Sequence, residues 1–418
     1  MIFRTAGAEQ LDDFRITLAG TADAVHLEVS GTTEPFHIPF SRGDIERALD
    51  DDTPNRLSTD PLMSVGSTLF NLLSGKVARQ LWEKTSEAES QNRGLRIRIF
   101  SSLERIQHLP WELMFDPSRG DFMSLSGRMA LVRSRAEGYS EDSLSALTKL
   151  RILAVEADVS GLMRCDEDLR VLDRLVADNP GRIEVVKLER ATPIALREKL
   201  RQGPYDVFHF AGMGEVLPKP TKRGGLRQAL RLLGSNYVDP LFDAHELGTL
   251  LQSAGVRLAV LNACHTDWVA RSLARYVPAA IGLRESLKVE VCIAFCQSLY
   301  SGLSSALPID LAVTAARQGA DREVPGTGQW CKLILYLQRP DGAFLLDAEA
   351  PQLTMPVAAA RPPEQDRSKA TLAGLLEVYE RNLSAIERNS ATTTVSKPET
   401  EGLKRKIEDL KRQLSQPV

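Results

Sequence analysis

The sequence lacks the features that mark membrane-spanning, secreted and nucleic-acid-binding proteins. No apolar run approaches the ~18–20 residues that a membrane-spanning helix needs. The N-terminal stretch MIFRTAGAEQLDDF contains acidic residues where a signal peptide would be apolar. A net charge of −3 and a pI near 6.2 offer no electrostatic attraction for nucleic acid or membranes. These absences predict a cytoplasmic protein with neither nucleic-acid nor membrane partners.

Cysteine is scarce, and no spacing of cysteine and histidine is that of a zinc site. An odd number of cysteines fits reduced thiols better than a disulfide framework. The five are Cys165, Cys264, Cys292, Cys296 and Cys331. A phosphate-binding loop of the form G-x-x-x-x-G-K-[ST] is also missing. We therefore expect neither a metal nor another cofactor.

The composition of the chain changes near residue 145. Residues 1–145 mix short alternating stretches with one helical stretch over 63–90, which predicts an α+β region. Beyond it, apolar strand-like runs alternate with amphipathic helical stretches. The runs cover 150–157, 182–189, 205–212, 257–264, 289–296 and 331–338. This alternation predicts an α/β domain over 146–345, with a mostly parallel sheet covered by helices on both faces.

Two of these runs end in residues of chemical interest. The run in FHFAGMGE (208–215) ends near Met213, and the run in LNACHTD (261–267) ends at Cys264. Active sites of parallel sheets lie at the carboxyl ends of the strands. We therefore expect Met213 and Cys264 to share one rim of the sheet.

The C-terminal part predicts a tethered helical module. Residues 346–370 are rich in proline and are typical of a linker. Within 371–418, apolar residues recur at three- and four-residue spacing along two helical stretches, as in a coiled-coil-like hairpin. Neither helix can bury its apolar stripe alone, so the hairpin packs on itself, on the parent domain or on a protein partner.

Several motifs together resemble a known family. YDVFHFAGMG (205–214) and RLAVLNACHTD (257–267) resemble the core of CHAT domains, caspase-like cysteine peptidases of the clan that holds separases and metacaspases. Residues 95–117, 277–287 and 295–317 resemble the segments that flank this core, so the resemblance covers roughly 60–340. It implies a caspase-like three-layer α/β sandwich that acts on protein or peptide substrates. The tail resembles helical adaptors of prokaryotic defence effectors.

The resemblance assigns roles to individual residues. Cys264 takes the position of the nucleophile, and Gly212 and Gly214 take those of the turn glycines that flank the catalytic histidine, near the oxyanion hole. Met213 stands at the position of that histidine. The thiolate is the attacking form of cysteine, and an imidazole normally takes its proton and returns it to the leaving amine. A thioether can do neither, so Met213 is predicted to be non-functional as a base.

Other histidines are poor substitutes for the missing base. His209 precedes Met213 by four residues, which places it ~13 Å down the strand, and we expect it inside the sheet packing. His265 adjoins Cys264, but neighbouring side chains at a strand end usually diverge. His245 is expected to open a helix. His209 and His265 remain the possible alternative bases.

Three further features carry weaker predictions. The segment after Met213, residues 215–237, predicts a basic loop that is either solvated or flanks a groove for acidic partners. Asp239 and Asp267 are possible acidic walls of a specificity pocket. Trp111 and Glu112 are expected to pack the N-terminal region against the sheet.

The sequence leaves the function open between alternatives. One is a CHAT-type cysteine-peptidase homologue of prokaryotic defence or cell-death signalling, impaired by the loss of the histidine. Another is a pseudopeptidase that acts as a scaffold or regulator and binds a protein partner through 371–418. A third is a component that a true peptidase cleaves or binds.

Overall fold

The fold was taken from a computed structural model of the chain. It describes residues 11–21, 24–36, 60–73, 75–134, 144–158, 165–218, 226–234, 240–340, 342, 344–346, 408 and 411–412. The predicted linker and helical hairpin therefore lie almost wholly outside the described residues.

Helices in the described ranges include nine α-helices. They are α1 (Asp60–Asn71), α2 (Gly75–Ser90), α3 (Glu104–Gln107), α4 (Cys165–Asp178), α5 (Pro193–Arg201), α6 (Ala244–Ser253), α7 (Asp267–Leu273), α8 (Val289–Ser304) and α9 (Ile309–Glu323). Three short 3₁₀ helices cover Trp111–Leu113, Met123–Leu125 and Gln329–Lys332. No helix among the described residues is long and apolar enough to cross a membrane.

Fifteen strands are present in the same ranges. They are β1 (Leu11–Gly20), β2 (Val25–Val29), β3 (Thr32–Phe36), β4 (Gly94–Phe100), β5 (Phe115–Asp116), β6 (Asp121–Phe122), β7 (Met129–Ser134), β8 (Leu150–Glu156), β9 (Ile183–Leu188), β10 (Val207–Pro218), β11 (Leu226–Arg231), β12 (Leu241–Asp243), β13 (Leu258–Cys264), β14 (Ala279–Leu283) and β15 (Leu333–Leu337).

Thirteen of the strands form one sheet. Its order is β12-β11-β10-β13-β14-β15-β7-β4-β1-β2-β3, and β8 and β9 extend it from the first half of β10. The run β9, β8, β10, β13 and β14 is parallel throughout. β15 is antiparallel to β14 but parallel to β7, and β7, β4 and β1 are parallel in turn. The prediction of a mostly parallel sheet is confirmed.

Helices cover both faces of the sheet, as alternate residues of β13 illustrate. Leu258 and Val260 belong to one apolar core, together with side chains of α4, α8 and α9. Ala259 and Leu261 belong to a second core, together with side chains of α5, α6 and α7. This arrangement of two helical layers around a sheet confirms the predicted α/β class.

The N-terminal region contributes strands to the same sheet. β7 lies beside β15, where Arg133 pairs with Tyr336. Side chains reinforce this thin junction, because Ser134 Oγ donates a hydrogen bond to the carbonyl oxygen of Leu337 at 2.6 Å. Arg98 Nη2 donates to the carbonyl oxygen of Pro340, also at 2.6 Å. Residues 11–134 and 150–337 thus share one continuous β-structure.

Some predicted elements were wrong in type or extent. The single helix expected over 63–90 is divided into α1 and α2, with a break between Asn71 and Gly75. Residues 289–296, expected as a strand entering a helix, lie wholly within α8. A largely apolar run of this length suits a buried helix as well as a buried strand, so periodicity could not distinguish them.

Candidate active site

The middle of β10 and the end of β13 place Met213 directly beside Cys264. The two strands run in parallel, and their register pairs Ala211 with Asn262 and Met213 with Cys264. Because side chains alternate across a strand, Met213 and Cys264 project from the same face of the sheet. The two residues therefore share one rim, as the strand pattern predicted.

Gly212 and Gly214 lie within strand β10, so the predicted glycine turn was wrong. β10 continues past them because residues 213–218 pair antiparallel with β11. A Cβ atom at Gly214 would stand 2.6 Å from Thr266 Cγ2 and 2.7 Å from the carbonyl oxygen of His265. Glycine at this position allows β10 to pass against the segment that follows Cys264.

The basic segment after Met213 is partly strand, which corrects the predicted loop. Its second half forms β11, and Arg231 stands opposite Met213 in the β10–β11 register. Arg231 also forms an ion pair with Glu215 on β10. Residues 219–225 and 235–239, including Asp239, lie outside the described residues. Arg231 therefore meets an acidic partner within the chain.

Cys264 ends β13 with a partly exposed thiol. The chain then turns at His265, whose φ of 58° is uncommon for a residue other than glycine. Thr266 stabilises the turn through two hydrogen bonds. Its Oγ1 donates to the carbonyl oxygen of Ala263 at 2.6 Å and accepts from the Leu283 N–H at 3.1 Å. Among the described residues, no side chain forms a hydrogen bond with Cys264 Sγ. The structure therefore shows no base in contact with the thiol.

His265 and His245 do not occupy the base position. His265 has an exposed side chain in the turn after Cys264. His245 lies in the first turn of α6, as predicted, and its Nδ1 contacts the hydroxyl group of Tyr276.

His209 lies inside the molecule, as its position on β10 predicted. Its side chain is 0% exposed, and its Nδ1 lies 3.0 Å from the hydroxyl oxygen of Tyr300 on α8. Four residues of extended chain separate it from Met213, about 13 Å at 3.3 Å per residue. The structure thus does not bring His209 to the rim.

Polar side chains surround His209 below the rim. Asn262 Nδ2 donates hydrogen bonds to Asp168 Oδ2 at 2.7 Å and to Cys296 Sγ at 3.3 Å. His209 Nε2 lies 3.8 Å from the same Asp168 oxygen. No sequence pattern indicated this cluster, because its members come from α4, β10, β13 and α8 and share no motif.

Two thiols of α8 lie close to these groups. Burial raises the pKa of Cys292 well above its ordinary value, and nearby Asp168 and Cys264 raise it further. The pKa of Cys296 is likewise raised by burial and by Asp168. Both thiols stay protonated at neutral pH and are poor nucleophiles, so neither competes with Cys264 for that role.

Asp267 lies at the start of α7, three residues beyond Cys264. Its side chain is only 7% exposed, and burial raises its pKa to about 6. The guanidinium group of Arg284 and the backbone N–H of Trp268 act in the opposite direction. Such burial leaves little carboxylate surface for a substrate, so the predicted role as a pocket wall gains no support.

Trp111 and Glu112 pack the N-terminal region onto the sheet. Both side chains are 0% exposed. Glu112 forms an ion pair with Arg133 of β7, in which Arg133 Nε donates to Glu112 Oε1 at 2.9 Å. Burial opposes the charge of Glu112, but Arg133 outweighs it and holds the pKa of this carboxyl below its usual value. Their packing role is that expected from the sequence.

Comparison with known proteins identifies a family, and solved structures with a distant similarity. The family model described as the CHAT domain matches residues 64–325, more than half of the chain. Among solved structures, the complex of Porphyromonas gingivalis RgpB pro- and mature domains is similar at 11% identity and a TM-score of 0.44, over 70% of this chain and 75% of that chain. No curated protein gives a significant match.

Proposed function

This chain belongs to the CHAT domain family, and we propose that it is a caspase-like cysteine-peptidase homologue whose hydrolytic step is impaired. In this proposal Cys264 is the nucleophile position and proteins or peptides are the substrates. The setting is prokaryotic defence or cell-death signalling, which follows from the family resemblance of the core and of the tail.

The observation that carries the proposal is the pairing of Met213 with Cys264 across neighbouring parallel strands. A histidine at position 213 would stand beside the thiol, where a general base is needed. The methionine there leaves the thiol without a proton acceptor. Loss of a general base typically costs ~10²–10⁴-fold in rate, so hydrolysis is slow or absent.

A second candidate function is a non-catalytic pseudopeptidase that binds protein as a scaffold, a regulator or the target of a partner peptidase. It is favoured by the absence, among the described side chains, of any hydrogen bond to Cys264 Sγ. In this reading, residues 371–418 contact the partner. Unchanged partner binding and self-association after deletion of 371–418 would remove that part of the proposal.

The Met213→His variant tests whether the rest of the site can support catalysis once a histidine is present. We expect Cys264-dependent cleavage of a mixture of unfolded proteins to rise ~10²–10⁴-fold over the wild type. New N-termini identified by mass spectrometry measure the cleavage. Alkylation of Cys264 by iodoacetamide near neutral pH should also become faster, because the imidazole removes the thiol proton.

Two control variants make this test specific. Met213→Gln has a side chain of similar length that cannot act as a base, and it should stay as inactive as the wild type. Met213→His combined with Cys264→Ala should lose all the gained cleavage. Wild-type cleavage as fast as that of Met213→His would contradict impairment, while a folded but inactive Met213→His would favour the pseudopeptidase.

A further inference from the structure

A group of metal-ligand side chains lies buried beneath the thiol rim. A carboxylate oxygen of Asp168, a ring nitrogen of His209 and Sγ of Cys296 all lie within 4.8 Å of one another. The three residues are 6%, 0% and 0% exposed, respectively. They come from α4, β10 and α8, so the chain folds around them from three separate elements.

We propose that Asp168, His209 and Cys296 bind a transition-metal dication, for which Zn²⁺ is the best match. On binding the ion, Cys296 releases its thiol proton to solvent and binds as the thiolate. Thiolate, imidazole and carboxylate are all ligand types of Zn²⁺. Mg²⁺ and Ca²⁺ require oxygen ligands and are disfavoured by the sulfur. This proposal departs from the expectation of no metal, which rested on sequence spacing alone.

The histidine is already arranged as a metal ligand. In metal sites, the ring nitrogen that does not bind the ion usually donates its hydrogen to a neighbouring acceptor. His209 Nδ1 has such a neighbour in the hydroxyl oxygen of Tyr300, at 3.0 Å. In the proposed site Nδ1–H donates to this oxygen, and Nε2 keeps its lone pair for the metal. Nε2 has no hydrogen-bond partner among the described residues although it is fully buried. A buried polar atom without a partner is costly, and a cation beside Nε2 removes the cost.

The distances suit tetrahedral coordination. Zinc bonds of ~2.0–2.1 Å to nitrogen and oxygen place two such ligand atoms ~3.3–3.4 Å apart. His209 Nε2 lies 3.8 Å from Asp168 Oδ2, about 0.4 Å beyond that separation. Since no ligand atom of the group is more than 4.8 Å from another, a shift of about 1 Å completes the geometry.

Asn262 supplies the fourth ligand. Its Nδ2 lies 2.7 Å from Asp168 Oδ2 and 3.3 Å from Cys296 Sγ, while its Oδ1 has no hydrogen-bond partner among the described residues. Half a turn of the amide brings this oxygen to the side of Asp168 and Cys296. Four protein ligands then complete a four-coordinate site.

Metal analysis of the full-length protein tests the site. The chain is unfolded in urea with a chelator, refolded with Zn²⁺ or Co²⁺, and freed of unbound metal by gel filtration. We expect about one ion per folded chain, as for a closed four-ligand centre. The Co²⁺ form should show a thiolate-to-metal charge-transfer band and the intense visible bands of a tetrahedral site.

Variants assign the bound metal to this cluster. Cys296→Ser and His209→Gln should each lose the ion, whereas Cys331→Ser, which removes another buried thiol, should keep it. Tyr300→Phe retains the ring that packs beside His209 and should weaken metal affinity ~10–100-fold. This milder change keeps the test valid if a ligand variant does not fold.

Three results would contradict the proposed metal site. They are a wild-type metal content no higher than that of Cys296→Ser, a Co²⁺ spectrum without the thiolate band, or equal loss of metal in Cys331→Ser. Because the readout is bound metal, it is independent of the peptidase proposal, which depends on cleavage by Met213→His.

Discussion

Asp267 shows how burial of one carboxyl group makes stability depend on pH. Its pKa is about 6 in the folded protein, against an ordinary value of 3.8. The folded state therefore binds its proton more tightly than the unfolded state. This contribution to the free energy of unfolding is fully present below the unfolded value and is lost as pH rises through about 4 to 6.

Asp267→Asn should flatten this dependence. A shift of about two pKa units corresponds to a loss on the order of 3 kcal/mol for the wild type as pH rises from about 4 to 7. The amide variant lacks that loss, so its stability relative to the wild type should improve over the same interval. Urea denaturation at several pH values measures the difference.

Asp166→Asn is the matched control, because its carboxylate is 59% exposed on α4. We expect its unfolding free energy to follow the wild-type pH dependence between about pH 4 and 6. An Asp267→Asn profile parallel to that of the wild type would show that Asp267 titrates normally.

Individual residues differed in how far the sequence could predict them. His209 could be placed inside the sheet packing because its distance from Met213 along a strand follows from backbone geometry alone. Its neighbours could not be predicted, since Asp168, Asn262, Cys296 and Tyr300 converge only through tertiary packing. Such clusters leave no local spacing in a single sequence.

At the scale of elements, Gly214 controls how closely β10 approaches the turn after Cys264. Gly214→Ala would place Cβ 2.6 Å from Thr266 Cγ2 and 2.7 Å from the His265 carbonyl oxygen. Real Cβ atoms avoid such contacts, so the strand and the turn must move apart. We expect a loss of about 1–3 kcal/mol in unfolding free energy, measured by urea denaturation.

Gly75→Ala is the corresponding control at the start of α2. A Cβ atom there meets nothing within 4 Å, and alanine favours the helix by up to ~1 kcal/mol over glycine. We expect no loss of stability in this variant. Equal behaviour of the two variants would show that the approach of β10 is not sterically limited by Gly214.

The failure to predict some elements from the sequence has physical reasons. β14 (AAIGL) is short and rich in alanine and glycine, which have low strand propensity, so only its burial in the sheet makes it a strand. The glycines of β10 are typical of turns, but pairing with β11 keeps them extended. By contrast, β8, β9, β13 and β15 are rich in valine, isoleucine and leucine, and their positions were predicted correctly.

At the scale of the whole molecule, strands from residues 11–134 and 150–337 lie in one sheet. We therefore expect a chain of residues 146–346 to be insoluble or unfolded. It lacks β7, which lies beside β15, and it lacks the Leu131 carbonyl oxygen to which buried Arg317 donates at 3.2 Å. Soluble yield and urea denaturation measure the outcome.

A chain of residues 1–346 is the control for that truncation. It keeps every strand of the sheet and removes only the C-terminal segment, so we expect it to unfold at the wild-type urea concentration. Cooperative folding of 146–346 alone would show that the N-terminal strands are dispensable. In that case the change in composition near residue 145 would also mark the boundary of an independently folding unit.

The placement of residue 213 has a consequence for any side chain that stands there. On one side, β10 pairs with β8 up to Ala211 and with β11 from Met213 onward. Met213 is therefore paired with Arg231 on that side and with Cys264 on the other. Residues in loops can adjust to a bound substrate, but two flanking strands leave this backbone little freedom. Position 213 is therefore preorganised: a histidine introduced there would meet the thiol in a fixed alignment, with little reorganisation during the reaction.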